Sequence, residues 1–546
     1  MGLIGFTIAN FIAGALAFVQ SRQTLTIMND TALRVHGSPP EGYTGPKRSL
    51  ILAGGGMRVA YQAGVLKALD EAGLCFHHAD GTSGGTINLA MLFSGLSPDE
   101  MCARWRTLDL NDFVSLMPLR EYFKGISSMA MGDADGIVKK VFPHLGIDVA
   151  KINAAQGMQG TFNVCNYSRK TNEAIPHDTV DLGLLVAGIS LPIFMPPVEK
   201  NGTTYIDSVW IKDANCMEAV KRGADELWVV WCIGNTDDYR GGAFEQYVHM
   251  IEMSANGALF EEFDRINEIN ERIARGQTPY GHTQPIRLHV IKPRYPLPLD
   301  PDFYLGKIDA ATLIAMGYAD TKRYLKTRTE TGLPFQPEVT HMESSKPGIS
   351  FRETMAGPFA LGETDPKAGK KKGRKEGTEL AMHASINIRD IAAFADDPNH
   401  LGEIDGNIDF TPFGEALPAT HGVFNLFSPT DDPDMKYMVY ELGFEHEGQV
   451  YYLAGKKEVH DDPGFDLWSD TTTLFTTLHK GNDKAGEVVG AGVLSLGVKD
   501  LMKLVSTMRA TNADSAADKA KAYARFGAFF LGDLWDSYKR FVKNDE

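Results

Sequence analysis

Short, uniformly apolar runs alternate with amphipathic ones over roughly the first 335 positions of this 546-residue chain. "RSLILAG" (48–54) has the length and composition of a strand covered on both faces. Residues 61–72 continue with Val65, Leu66 and Leu69 at helical spacing, and Gly73 supplies the stop. "TFNVCNYS", "ELWVVWCIG" and "IRLHVIKP" repeat the strand pattern, and helical periodicity returns between Asp309 and Leu325. Strands alternating with helices predict an α/β fold, a mainly parallel sheet between two helical layers. The pattern then changes. Residues 350–500 place many Gly, Pro and Asp turns between runs such as "KYMVYELGFE" and "QVYYLAG", which predicts an antiparallel, β-rich region. "ADSAADKAKAYARFGAFFLGDLWDSYKRF" predicts a terminal helix. The expected organisation is an apolar N-terminal helix and connector (1–46), an α/β domain (47–335) and a β-rich domain with a C-terminal helix (346–546).

Two stretches depart from this pattern. "GLIGFTIANFIAGALAFVQS" carries no charge before Arg22, and Gly5, Ala9, Ala13 and Ala17 line one helix face with small side chains. It reads either as a membrane-associated helix or as a helix docked in a groove, and the small-residue face also suits a homo-oligomer. A signal peptide ranks behind both, because there is no basic n-region and no convincing cleavage site. "KAGKKKGRKEG" concentrates positive charge in a chain of net charge −16. It reads first as a disordered, solvated hairpin tip and second as a contact for anionic lipid head groups.

Composition adds exclusions. The acidic balance argues against nucleic acid as the main partner. Five cysteines (75, 102, 165, 216 and 232) without a CxxC pair argue against a disulfide framework or a zinc site and fit a reducing, cytoplasmic location. No metal or cofactor constellation is expected.

The chemistry concentrates in two glycine-rich turns. "AGGGMRVAYQAGVL" (53–66) puts three glycines between a strand and a helix, yet Val59 breaks a dinucleotide fingerprint and no G-K-[ST] follows for a phosphate loop. "GTSGG" (81–85) fits G-x-S-x-G, a strand-to-helix turn that exposes a nucleophilic serine, here Ser83. The backbone N–H groups of Gly54, Gly55 and Gly56 then suit an oxyanion hole. Asp207, at the end of a short strand-like run, is the candidate base, with Asp213 as the backup acid. No histidine has a compelling context: His77 and His78 precede the serine, and His383, His421, His460 and His479 fall in the β-rich region.

These motifs, in this order, resemble the patatin-like phospholipase family over residues 47 to about 335. The family's G-G-G-x-R loop matches Gly54, Gly55, Gly56 and Arg58, its G-x-S-x-G matches Gly81, Ser83 and Gly85, and its D-G-[GA] motif aligns with Asp207, Ser208 and Val209. "ISLPIFMPPV" (189–198) resembles the proline-containing stretch between nucleophile and acid. The resemblance implies a three-layer α/β/α serine acyl hydrolase with a Ser83–Asp207 dyad. It would cleave fatty-acyl esters of membrane phospholipids or lysophospholipids without a metal or cofactor, at a membrane surface. Arg58 would hold the loop or attract a phosphate head group. Val59, Ser208 and Val209 replace glycines of the family pattern, which leaves a second reading: a catalytically weak lipid-binding or scaffolding pseudoenzyme. "FRETMAGPF", "GVFNLF" and "YYLAGKKEVHDDPGFDLWSDTTTL" faintly resemble an accessory β domain of cholesterol-oxidase-like flavoenzymes.

Overall fold

The structure is a computed structural model that describes residues 33–109, 135–239, 241–297, 309–344, 346–430, 435–460, 472–497, 500, 504, 507–513 and 516–531. The apolar stretch before Arg22, with its small-residue face, lies outside the described residues. Among those residues no helix is long and apolar enough to cross a membrane.

The run that reads as a doubly covered strand is β1 (Arg48–Leu52), near the middle of the first sheet. Alternate side chains enter different cores. Leu50 and Leu52 pack with helices α1 (Ala60–Glu71) and α2 (Gly84–Phe93), and Ile51 packs on the other face against Leu259, Phe263 and Ile266 of α3 (Ala243–Ala274). Burial on both faces explains why a polar alternation is missing from the strand. The sheet order is β5-β6-β3-β2-β1-β7-β8, with β2 (His78–Gly81), β3 (Gln159–Asn166), β7 (Glu226–Val230) and β8 (Arg287–Ile291) parallel to β1. Three strands at the β3 edge, β4 (Thr171–Pro176), β5 (Val198–Lys200) and β6 (Thr203–Ile206), pair antiparallel. The expected three-layer α/β/α arrangement is therefore present.

Helix α4 (Ala310–Thr327), capped by the Asp309 side chain, lies across α1 with backbone touching backbone. A Cβ on Gly64 would stand 1.9 Å from the Ile314 carbonyl oxygen, and one on Gly317 would stand 2.0 Å from the Tyr61 carbonyl oxygen. Two glycines on facing helices set this approach.

The β-rich region is a closed barrel, a feature the sequence pattern did not specify. Strands β9 (Gly348–Leu361), β10 (Glu379–Ile388), β11 (Leu401–Phe410), β12 (Gly414–Pro429), β13 (Met435–His446), β14 (Gln449–His460), β15 (Thr473–Lys480) and β16 (Val488–Ser495) pair antiparallel in succession, and β16 returns to β9. Closure leaves few unpaired edges. β17 (Arg509–Thr511) adds to β9. Along β10 the buried positions are Leu380, Met382, Ala384, Ile386 and Ile388, the period of two that fills a barrel with side chains. The terminal helix prediction corresponds to α6 (Ala516–Leu531), whose Phe526 packs 5.9 Å from Phe351.

"KAGKKKGRKEG" differs from the expected hairpin tip. It forms a helix, α5 (Pro366–Glu376), between β9 and β10. The Asp365 side chain accepts the Ala368 N–H at 2.8 Å, Pro366 occupies the first turn, and Gly377 closes the helix at φ 69°. These are ordinary start and stop signals, masked in the sequence by the two internal glycines. Those glycines are the docking face: a Cβ on Gly369 would stand 2.0 Å from the Ala491 carbonyl oxygen, and one on Gly373 would stand 2.6 Å from the Phe359 amide nitrogen.

The barrel sits on α4. Buried Arg389 reaches Asp320 of α4 at 3.2 Å and also pairs with Glu403, while Tyr61 of α1 donates to Asp320 at 3.1 Å. His421 of β12 stacks on Tyr318 of α4 at 5.7 Å.

The α1–α4 contact yields a stability prediction. Gly317→Ala destabilises the protein by about 2 kcal/mol through overpacking. Gly257→Ala, on α3 where a Cβ meets nothing within 4 Å, is stabilising by about 0.5–1 kcal/mol through helix propensity. Urea and thermal unfolding of the two variants check the opposite signs.

Candidate active site

The two turns after β1 and β2 meet at the carboxyl ends of the parallel strands, where open α/β sheets bind ligands. Ser83 sits at the head of α2 with φ 52° and ψ −129°, outside the regions that side chains ordinarily occupy. Its neighbours explain the glycines. A Cβ on Gly85 would stand 2.1 Å from the Leu52 carbonyl oxygen, and one on Gly84 would stand 2.6 Å from the Gly56 carbonyl oxygen. Ser83 itself is 8 % exposed.

Gly54 faces the serine. A Cβ there would lie 2.8 Å from the Ser83 Cβ, 3.3 Å from its Oγ and 2.4 Å from Oδ1 of Asp213. The Gly54 N–H donates to that Oδ1 at 2.9 Å, so it differs from the expectation of a free oxyanion donor. Gly55 and Gly56 follow, and their N–H groups have no hydrogen-bond partner among the described residues. Arg58 is buried, with its Nε donating to the Gly55 carbonyl at 2.9 Å, so its side chain braces the loop.

Asp207 follows β6 and is 1 % exposed. Its N–H donates to the Ser190 carbonyl at 3.0 Å, and its Oδ1 accepts the Val209 N–H at 2.9 Å. Burial pushes its pKa up to about 7, against the lowering effect of the Ser83 hydroxyl and the Val209 amide. Oδ2 makes no complete hydrogen bond; such contacts often tighten only once substrate arrives. Asp213 is buried as well, and loss of water raises it to about 8, opposed by the Gly54 amide. The structure thus brings Ser83, Asp207, Asp213 and the glycine loop together.

The departures from the family pattern are accommodated locally. Val59 has φ −68°, where no glycine is needed, and Ser208 and Val209 are not among the positive-φ residues. Val209 is buried in the core on the α3 side, and the Ser208 hydroxyl donates to the Asn172 side chain. That bond belongs to a buried network that motif reading missed. Asn163 donates to Asp80 and, at 3.0 Å, to the Thr82 hydroxyl, and its oxygen accepts from Asn172 at 2.8 Å and Asn215 at 3.0 Å. It ties the strand leading to Ser83 to the loop carrying Asp207. Asn163, a polar residue flanked by Phe162 and Val164 inside the strand-like run "TFNVCNYS", was the available signal.

An aromatic flank was also missed. Phe194, Trp210 and Tyr247 stack edge to face at 5.5 and 5.6 Å, and Tyr247 donates to the Pro192 carbonyl at 2.7 Å. The Tyr247 hydroxyl titrates higher because of burial and the Asp207 charge, so it shares that carboxylate's surroundings. Ile193, in the same loop as Phe194, is 54 % exposed at φ 78°.

The histidines serve elsewhere. His78 is held between Ser49 at 2.7 Å and Thr161 at 2.8 Å, and burial lowers its pKa to about 3. His77 lies at the opposite end of β2, with its N–H on the Arg48 carbonyl. His383 contacts Asp409 at 2.9 Å, His421 the Asn482 carbonyl at 2.8 Å and His479 the Gly486 carbonyl at 3.0 Å, all within the barrel region. The His460 side chain lies outside the described residues.

A comparison with curated proteins finds no match for the chain. With a serine in a strained strand-to-helix turn, a buried aspartate beside it and a glycine loop over both, residues 50–220 match the model of the patatin-like phospholipase family.

Proposed function

We propose that the protein is a serine acyl hydrolase of the phospholipase A or lysophospholipase type, with Ser83 as nucleophile and Asp207 as its base. The observation that carries the reading is the strained Ser83 turn beside a fully buried carboxylate whose pKa lies near 7. An ordinary aspartate, near ~3.9, is a weak base at neutral pH; one raised by desolvation accepts a proton more readily.

In the proposed cycle Asp207 takes the Ser83 proton as Oγ attacks the acyl carbonyl. The oxyanion formed faces the Gly55 and Gly56 N–H groups. When the ester C–O bond breaks, Asp207 returns the proton to the departing alkoxide, leaving an acyl-serine and a free alcohol. Water then attacks the acyl carbon, giving its proton to the same carboxylate. Collapse releases the fatty acid as the proton passes back to Ser83 Oγ. Asp213 fixes the Gly54 amide and so aims the next two. The Phe194–Trp210–Tyr247 flank offers an apolar wall for the acyl chain.

Fluorophosphonate labelling and ester turnover test the roles directly. Ser83→Ala abolishes labelling and lowers turnover by at least ~10³-fold, and Asp207→Asn lowers kcat by about 10³- to 10⁴-fold. Labelling that survives Ser83→Ala, or no turnover of any lipid ester by the intact chain, rejects the hydrolase reading.

The pH dependences have opposite signs. The base acts when ionised, so kcat/KM rises with pH through about 7, where Asp207 titrates. The folded-state pKa is raised from 3.8 to about 7, so this group's contribution to stability is full below 3.8 and is lost as pH rises to about 7. The thermal-midpoint advantage of Asp207→Asn over wild type therefore grows between pH 4 and pH 7 and is level above it, as scanning calorimetry at several pH values will show.

Asp213→Ala frees the Gly54 amide and lowers kcat by about 10- to 100-fold through misaligned oxyanion donors. Asp213→Asn keeps an acceptor oxygen and most of the activity. Equal losses in the two variants count against the positioning role.

A further inference from the structure

We propose that α5 is an electrostatic docking face for anionic lipid surfaces. The choice of a lipid surface over other polyanions rests on the hydrolase reading above. The helix carries Lys367, Lys370, Lys371, Lys372, Arg374 and Lys375 in a chain of net charge −16. Lys372 is engaged, reaching the Leu361 carbonyl at 2.9 Å and Glu363 at 3.6 Å. The other five cations have no ion pair or hydrogen bond among the described residues, and all but the half-buried Lys370 are exposed.

Their spacing orders them. Positions 367, 370, 371, 374 and 375 follow the i, i+3, i+4, i+7, i+8 pattern, a stripe about 140° wide at 100° per residue. Gly369 and Gly373 fall on the opposite side of the helix, the side pressed against the Ala491 and Phe359 backbone. Any side chain at either glycine would push the helix off the barrel. The stripe is therefore held rigidly outward, with no flexible linker to let it fold back on the acidic surface. Like charges at i and i+4 destabilise a helix in isolation, so a run of them kept in this form calls for a counter-charge from outside. A bilayer containing anionic lipid supplies a continuous plane of negative charge that five cations on one helix face can meet at once, whereas the rest of this acidic chain is repelled from it.

Vesicle flotation of the full-length chain tests the proposal, with phosphatidylcholine vesicles and with phosphatidylcholine mixed with phosphatidylserine. The expected result is flotation with the mixed vesicles, little with phosphatidylcholine alone, and loss of binding as salt rises. The five-site variant Lys367→Gln, Lys370→Gln, Lys371→Gln, Arg374→Gln, Lys375→Gln lowers partitioning by about 10³- to 10⁴-fold, and exchanging the four lysines for arginine preserves it. The Gln variant hydrolyses a soluble monomeric ester like wild type but loses activity on mixed vesicles. Wild-type protein that ignores the anionic vesicles, a Gln variant that floats undiminished, or binding to polynucleotide in place of vesicles overturns the proposal. Flotation is read independently of turnover: Ser83→Ala floats like wild type, and a wild-type chain that turns over no lipid ester yet needs the stripe to float would reject the hydrolase chemistry and leave the docking face standing.

Discussion

Two neighbouring parallel strands, β1 and β2, each run directly into a turn at the same end of the sheet, and the turns must pass one another with almost no room between backbones. Gly85 against the Leu52 carbonyl and Gly84 against the Gly56 carbonyl mark how close that passage is. The space excludes side chains, and Ser83, the one residue with a side chain at the apex, is turned to φ 52°. Such a conformation costs of the order of 1–3 kcal/mol and persists only where its surroundings over-determine it. Here they do: Gly85 donates to the Thr82 carbonyl, Thr82 to the Leu52 carbonyl, and α2 is buried along its whole length. The placement of the Ser83 hydroxyl, the loop of free amides and the approach of Asp207 all depend on this crossing.

Around the crossing the protein buries carboxylates without cationic partners in hydrogen-bond contact. Asp207 and Asp213 are both cut off from water, and each is answered by a backbone amide, Val209 and Gly54 respectively. A salt bridge at Asp207 would lower its pKa and weaken it for the base role proposed above. Holding it with one neutral donor keeps it desolvated and still available. The arrangement works against folding stability at neutral pH, a common relation between active sites and the scaffolds that carry them. Asn163 and its amide partners restrain the geometry by neutral hydrogen bonds, leaving the electrostatics of the pocket to the carboxylates.

The barrel adds rigidity at a distance. Its Arg389 meets Asp320, which also receives the Tyr61 hydroxyl from α1, the helix that begins where the glycine loop ends. One buried contact thus links the barrel, α4 and α1, the helix that follows directly on the loop of Arg58 and the free amides. At the barrel, α5 is a second use of the device seen between α1 and α4: glycines on a helix face convert a side-chain contact into a backbone contact and fix how the opposite face is presented.

Much of this was readable from residue order. Periodicity located β1, α1 and α4 to within a residue or two, because an unbroken apolar run and apolar residues at helical spacing are properties of near neighbours in the chain. The serine, the aspartate and the glycine loop were readable because their chemistry imposes local patterns. Other features were not. Gly54 carries the same motif as Gly55 and Gly56, yet Asp213, 159 residues away, claims its amide. The Asn163 network shows locally only as one polar residue in an apolar strand run, and the Tyr247 flank leaves no local trace, since the partners of each come from different strands, helices and loops. The basic run read as a loop because glycines oppose helix formation in isolation, and only the barrel wall against which they pack reverses that preference. Barrel closure was invisible for the same reason: the chain determines which residues face inward, a nearest-neighbour property, whereas the pairing of β16 with β9 joins segments over a hundred residues apart and is decided by burial of the shared interior.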